Sequence, residues 1–380
     1  MKDVGPLAGL RVVEFVGLGP GPFAGMLLAD LGATVLRIDR LSDAERDAER
    51  RGSPPPRGPL HRGKGSVGVD LKHPSAAGFV LRLVERADAL VDVWRPGVAE
   101  RLGVGPEACL ARNPRLIYGR LTGWGQEGPW ASMAGHDIDY IALAGALEPL
   151  GRAGEPPTPP INVLGDFAGG GMLLAFGIMC AAWEAARSGR GQVIDAAMID
   201  GAALMMAPYY TARASGFWGP RGTNMLDTGA PFYEVYETRD GKWVAVGAIE
   251  PQFYAELLNG LGLSADPLFA EQQDRGRWAD QKVRLASVFR GRTRDEWCAV
   301  FDGTDACVAP VLDPVEAPTH AHHQARGTFV EDQPAAAPRF SRTPAGAPGP
   351  SRRAGEGADL RAWGITDGEQ EALRASRVIL

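Results

Sequence analysis

Three segments of this chain carry residue types suited to acid–base chemistry. Gly135-His136-Asp137-Ile138-Asp139-Tyr140 supplies an imidazole, Gly165-Asp166-Phe167 a carboxylate, and Ala248-Ile249-Glu250-Pro251-Gln252-Phe253-Tyr254 another. Each sits among apolar and glycine residues, where a solvated surface charge is not expected. An imidazole facing a carboxylate across a small cleft takes a proton from one face of a carbon and returns one to the other. One group must be basic while the other is protonated, so their proton affinities must lie close together. Histidine, ordinarily near pKa ~6.5, suits this; an aspartate, ordinarily near ~3.9, must be raised by apolar surroundings.

The elements that position these groups read as alternating strands and helices. Leu10 to Val16 is a buried strand, followed by a Gly/Pro turn and a helix over Pro22–Leu31 that Gly32 stops. Thr34–Ile38 is the next strand, completing a βαβ unit with a parallel sheet and right-handed crossover. Val67–Leu71 (strand), Ala76–Arg86 (helix), Ala89–Val93 and Leu116–Leu121 (strands) repeat the pattern, so the N-terminal half is expected to be Rossmann-like α/β. Ser42–Arg62, rich in Asp, Glu, Arg and Pro, reads as a solvated mobile loop. Phe167–Ser188 reads as a long apolar helix opened by Gly169-Gly170-Gly171, Gln192–Ala196 as a strand, and Met198–Ala214 as one helix.

A second domain begins after Arg221, where Phe232–Glu237 and Trp243–Gly247 form a hairpin around Asp240-Gly241. Two or three amphipathic helices follow up to about Asp302, and Cys307–Leu312 returns as a strand. Pro334–Gly357 reads as an extended Pro/Ala/Gly-rich tail that wraps a neighbour or dangles.

Composition narrows the class. A chain of 380 residues exceeds one ordinary core, and 45% hydrophobic with 23% charged residues describes a globular enzyme. A net charge of −6 argues against a general nucleic-acid binder. Four dispersed cysteines without a C-x-x-C pair suggest neither a disulfide framework nor a thiolate zinc site, and fit a cytoplasmic protein. No secretory leader is expected, and the apolar run Met172–Trp183 reads as too short and glycine-interrupted to span a bilayer.

Other signals resolve to bland readings. Gly17-Leu18-Gly19-Pro20-Gly21-Pro22 puts proline where a dinucleotide fingerprint needs its third glycine, and its prolines remove donors to a pyrophosphate. His320, His322 and His323 lack further ligands at metal-binding spacing, so no metal is expected. Cys307, in an apolar strand, reads as a buried inert thiol.

Over nearly its whole length the chain resembles the α-methylacyl-CoA racemases of the family III CoA-transferase (CaiB/BaiF-like) superfamily. The resemblance rests on Leu7–Glu14, Gly19–Pro22, Arg95–Val98, Leu116–Arg120, Thr122-Gly123-Trp124-Gly125-Gln126, Gly189–Ala196, Arg221–Asp227, Gly229–Tyr233, Gly247–Tyr254 and Asp302–Val308. It implies a large Rossmann-like domain over residues 1–220 and a small α/β domain over 221–312. A C-terminal segment, 313–380, would return to the large domain. It also implies two chains interlocked as a homodimer, with each active site between the large domain of one and the small domain of the other.

The same resemblance implies the roles. His136 and Asp166 would serve opposite faces of the α-carbon, Glu250 would orient and charge-tune the imidazole, and Asp137 would sit beside the thioester. Coenzyme A, part of the substrate rather than a cofactor, would be held by Arg40, by Val69, Asp70, Leu71 and Lys72, by Val93, Trp94 and Arg95, and by Arg101. Gly135, Ile138, Asp139 and Tyr140 would complete its site. No membrane or nucleic-acid partner is implied. Taken singly, His136 reads as a helix-start histidine, Asp137 and Asp166 as helix caps, and Glu250 as N-terminal helix charge. Arg40, Arg95 and Arg101 read singly as surface cations. Only the combination overturns those readings. Two departures stand out: Asp139 where the family more often has Asn, and Gly65 where Arg is frequent, which weakens expected phosphate contacts. The alternative within the superfamily is CoA transfer, with Asp166 as a nucleophile forming an aspartyl-CoA thioester.

Overall fold

The structure, a computed structural model, describes residues 4–50 and 58–380. Its chain divides into two compact units, each discontinuous: residues 4–144, 161–205 and 327–380 form the first, and 145–160 with 206–326 the second. The hand-over therefore falls at Met206 rather than near Arg221, and residues 145–160 join the second unit. A physical reason is visible inside that unit. Arg152 makes a bidentate ion pair with Glu234 at 2.7 and 2.9 Å, and Arg221 donates to the Glu148 and Glu155 carbonyls at 2.7 Å each.

The first unit is built on a parallel sheet of six strands: β1 Arg11–Phe15, β2 Thr34–Arg40, β3 Gly65–Val69, β4 Ala89–Asp92, β5 Ile117–Thr122 and β6 Gln192–Ala197. Their spatial order is β3-β2-β1-β4-β5-β6, all neighbours parallel. Successive side chains alternate between faces, and both faces are covered. Val13, Phe15, Leu36 and Ile38 pack on one side with α3 (Ala76–Val84) and α5 (Pro106–Arg112). Val12, Val35, Val91 and Ile117 pack on the other with α1 (Pro20–Asp30) and α7 (Leu173–Ser188). The strand order reverses between β1 and β4. In such sheets the crevice beyond the strand C-termini at that reversal is the natural ligand site.

Several expectations change. Leu41–Ala48 is helix α2, not loop: Ala44 packs against β3, where a Cβ added at Gly68 would lie 2.4 Å from Ala44 Cβ. Arg62, also read as loop, is buried in an ion pair with Asp30 at 2.5 Å; the stretch 51–57 lies outside the described residues. The expected helix Met198–Ala214 is two, α8 (Met198–Met205) and α9 (Ala207–Ala214), because Pro208 has no N–H to continue the ladder. The long helix starts earlier than Phe167. A π-helical segment, Val163–Met172, runs straight into α7, giving 26 continuous residues apolar enough by length and composition to cross a membrane, longer than the run read in the sequence.

The C-terminal tail does not dangle. Gly63 N–H donates to the Pro350 carbonyl at 3.1 Å, Ser66 N–H to Glu356 at 2.9 Å, and Gly355 N–H to Ser66 Oγ at 2.8 Å. A Cβ at Gly65 would lie 2.9 Å from the Gly357 carbonyl oxygen. Gly65 thus starts β3, at the end of the strand away from the crevice, so an arginine there has no bearing on phosphate contacts at the strand C-termini. Leu360, Trp363, Ile365, Val378 and Ile379 then complete the first unit's core.

The second unit carries an antiparallel sheet of β7 (Tyr233–Glu237), β8 (Trp243–Gly247) and β9 (Val308–Pro310), covered by α10 (Pro251–Leu261), α11 (Trp278–Phe289) and α12 (Arg294–Phe301). Gly241 takes φ 71° in the hairpin turn, as its Asp-Gly pair predicts. Cys307 corrects its expectation: it is exposed, with φ 53°, immediately before β9.

Candidate active site

Arg40, Val69–Lys72 and Val93–Arg95, among the implied substrate-binding positions, gather at the C-terminal ends of the first unit's strands, whereas Arg101 ends the short helix Val98–Arg101 and Gly135–Tyr140 forms a helix start. Arg40 closes β2, Val69 closes β3 with Asp70–Lys72 in the turn beyond, and Val93–Arg95 follows β4. Val93 fills the reversal point itself: a Cβ on Gly17 or Gly21 would lie 2.2 Å from its methyl groups. Not all are free to contact a ligand through their side chains. Val69 belongs to the core, and the Trp94 ring stacks on Phe15 at 4.1 Å while its Nε1–H donates to the Val16 carbonyl. Arg40, Lys72, Arg95 and Arg101 are exposed cations. A cavity of about 150 Å³ brings Val93, Arg95, Gly135 and Tyr140 together with Thr122 and Trp124.

His136 caps helix α6 (Asp137–Leu143) and is exposed. Asp139, at the third helical position, accepts the His136 backbone N–H at 3.0 Å. The unusual carboxylate is therefore engaged in closing the helix start. Asp137 is buried and turned inward: its Oδ2 accepts the N–H groups of Gly165 and Asp166, both at 2.6 Å. A short acidic side chain thus closes the free N-terminus of the π segment, and this moves the helix start ahead of Asp166.

Asp166 sits within the first turn of that segment, half-buried. Burial pushes its carboxyl above the ordinary aspartate range, and the charge of Asp137 adds to this. A hydrogen bond from Asn162 Nδ2 at 3.1 Å and the charge of His136 pull the other way. A Cβ at Gly19, which has φ 61°, would stand 3.5 Å from Asp166 Oδ2, so the Gly/Pro turn after β1 closes over this carboxylate. The Tyr140 phenol is pushed up to about 12, by burial first and then by the charges of Asp166 and Asp139. His136, Asp137, Asp139, Tyr140 and Asp166 therefore form one electrostatic cluster. Asn162 and Gly19 were not singled out as site residues. Asn162 stands four residues before Asp166, a helical spacing that shows only once the helix is started at Val163.

Glu250 lies in the second unit, as N-cap of α10, with its segment tied by Gln272 Nε2 to the Ile249 carbonyl at 2.8 Å. Its charge helps to raise the Cys307 thiol, after burial. Among the described residues no cluster of three His, Cys, Asp or Glu side chains is arranged for a metal.

Residues 7–355 match the family described as CoA-transferase family III. The chain belongs to that family. It is 46% identical over 383 aligned residues to alpha-methylacyl-CoA racemase from Mus musculus, covering 98% of this chain and 97% of that protein. Against alpha-methylacyl-CoA racemase from Homo sapiens it is 48% identical over 345 residues, covering 89% and 87%. A crystal structure of a CaiB/BaiF family protein from Brucella suis superposes with a TM-score of 0.79 at 24% identity, covering 98% of this chain and 99% of that one. At that identity the likeness carries the fold.

Proposed function

We propose that the protein is an α-methylacyl-CoA racemase, interconverting (2R)- and (2S)-2-methylacyl-CoA thioesters. The observation that carries this reading is the pairing of His136 with an Asp166 whose proton affinity is raised by burial, next to the strand C-termini. One group removes the α-proton as the C–H electron pair moves into the thioester carbonyl, forming an enolate. The other delivers a proton to the opposite face as the enolate collapses. Nothing is oxidised or reduced, so the step as written needs no flavin or nicotinamide. Backbone N–H groups at the start of α6 are suited to stabilise the enolate oxygen. The two mammalian racemases, at 46% and 48% identity, support the same reading.

CoA is assigned to Arg40, Asp70–Lys72, Val93–Arg95, Arg101 and the Gly135–Tyr140 loop. A homodimer is part of the proposal, with Glu250 of the second copy orienting His136. It is supported by apolar side chains left exposed in the first unit, among them Phe176 (66%) and Trp183 (70%) on α7 and Leu204 (64%) on α8. A cytoplasmic location is proposed on the four free cysteines.

Incubation with a single enantiomer of a 2-methylacyl-CoA in deuterated water tests the chemistry. The expected result is deuterium at the α-carbon with loss of optical activity, and the loss of optical activity is severely reduced in His136→Ala and Asp166→Ala while acyl-CoA still binds. A hydroxylamine-trappable adduct at Asp166 without exchange would instead mark CoA transfer and overturn the racemase reading.

A further inference from the structure

The Thr122-Gly123-Trp124-Gly125-Gln126 turn carries part of the family resemblance yet has no part in the chemistry above. Three hydrogen bonds pin it in place. Gly125 N–H donates to Thr122 Oγ1 at 3.1 Å, Gln126 N–H to Asp195 Oδ2 at 2.9 Å, and Ile199 N–H to the Gly123 carbonyl at 3.1 Å. From this platform the Trp124 ring meets Tyr140 edge-to-face, with centroids 4.8 Å apart and planes at 85°. Trp130 backs it at 4.9 Å and 88°.

Both rings close on Gly135. A Cβ there would lie 2.8 Å from Trp124 Cζ2 and 2.7 Å from Tyr140 Cε1, and the Tyr140 hydroxyl donates to the Gly135 carbonyl. Gly123 in turn makes room for the phenol ring, since a Cβ on it would lie 2.1 Å away. The residue immediately before His136 is thus gripped by two rings. His136 itself is exposed, so the backbone leading into it governs where the imidazole stands.

We propose that Trp124 is a positioning residue for His136, acting through Gly135 and together with Tyr140. The inference rests on the racemase reading. Among the described residues the buried indole N–H has no acceptor, so the ring acts here by contact and not as a donor. Loosening it displaces the imidazole from the α-carbon while leaving the Asp166 side of the site, held by Asp137, in place.

The test uses the full-length protein, Trp124→Ala, Tyr140→Phe and the double variant, with each 2-methylacyl-CoA enantiomer assayed separately in deuterated water. Trp124→Ala is expected to lower kcat about tenfold to hundredfold with KM within about twofold. The enantiomer deprotonated by His136 loses exchange, whereas the one deprotonated by Asp166 keeps exchanging with retention of configuration. Tyr140→Phe shows the same asymmetry to a smaller extent. The double variant loses less than the product of the single effects, because both side chains hold one residue. Should Trp124→Ala fail to fold, Trp124→Leu with Tyr140→Phe carries the same readout. Equal loss of deuterium exchange for both enantiomers, or undiminished kcat in a folded variant, overturns the proposal alone. Absence of exchange in the unsubstituted protein overturns the racemase reading, and this inference with it.

Discussion

Asp137 and Asp166 are joined through the main chain: Asp137 Oδ2 accepts the Asp166 backbone N–H at 2.6 Å. Because Asp137 directly follows His136, one residue links the helix start that presents the imidazole to the helix start that presents the carboxylate. The separation of the proposed acid–base pair therefore depends on a buried side chain. The resemblance assigns Asp137 a place beside the thioester; its contacts here are those of a clamp.

Asp137→Ala strands two backbone donors, Gly165 and Asp166, that its carboxylate now satisfies. We expect it to destabilise the protein by about 1–3 kcal/mol, the cost of unpaired buried groups. Turnover should fall by about a hundredfold as the pair loses registry. Urea unfolding and racemase kinetics measured on the same variant check this. A variant with normal kcat would show that the clamp does not set the pair.

The electrostatics around Asp166 give a pair of pH predictions with opposite signs. Asp137→Asn keeps an acceptor but removes a negative charge that raises the Asp166 pKa, so that pKa falls. Asn162→Ala removes a hydrogen bond that lowers it, so that pKa rises. Where Asp166 is the base, the acid limb of kcat/KM should move to lower pH in the first variant and to higher pH in the second. Limbs that move together, or not at all, would detach Asp166 from proton removal.

Stability should carry the same signature. Burial raises the Asp166 pKa in the folded state, so folding is favoured while the carboxyl is protonated. This contribution is fully present below the ordinary aspartate value and is lost as pH rises through the raised one. Above that window the charged carboxylate is a burden on the fold. Asp166→Asn should therefore unfold at higher temperature than the unsubstituted protein at pH 8, with the difference closing in acid. A variant less stable at pH 8 would contradict this sign.

What the sequence made legible follows from how local each signal is. The β1–α1–β2 unit and the β7–β8 hairpin announce themselves through apolar runs and a turn pair, and they stand within a few residues of where they were read. Leu41–Ala48 was missed because a charged helix with one buried residue, Ala44, has the composition of a loop. The tail over 334–357 was missed because it docks by main-chain hydrogen bonds to Gly63 and Ser66, which side-chain patterning does not reveal. His136 and Asp166 stand out in the sequence as an imidazole and a carboxylate set among apolar and glycine residues. The inward turn of Asp137 and the contacts of Asn162 and Gly19 depend on a π-helical start no sequence period marks.

A last prediction concerns the ion pair beneath α1. Lys64 Nζ donates to Glu14 Oε2 at 2.6 Å and to the Pro22 carbonyl at 2.8 Å, with both side chains wholly buried. Burial raises the Glu14 pKa and lowers that of Lys64, each opposed by the other's charge. Gly25 leaves the space they occupy, since a Cβ there would stand 1.7 Å from Glu14 Oε2. Lys64→Met leaves an uncompensated buried carboxylate, so it should cost about 3–5 kcal/mol. Adding Glu14→Leu removes the stranded charge and should restore most of that loss. The first turn of α1 also packs on the π segment, where a Cβ at Gly171 would lie 2.5 Å from the Pro20 carbonyl oxygen. Racemase activity should consequently fall in the single variant and return in the double one. Equal urea midpoints for Lys64→Met and the unsubstituted protein would show that this pair does not hold α1 in place.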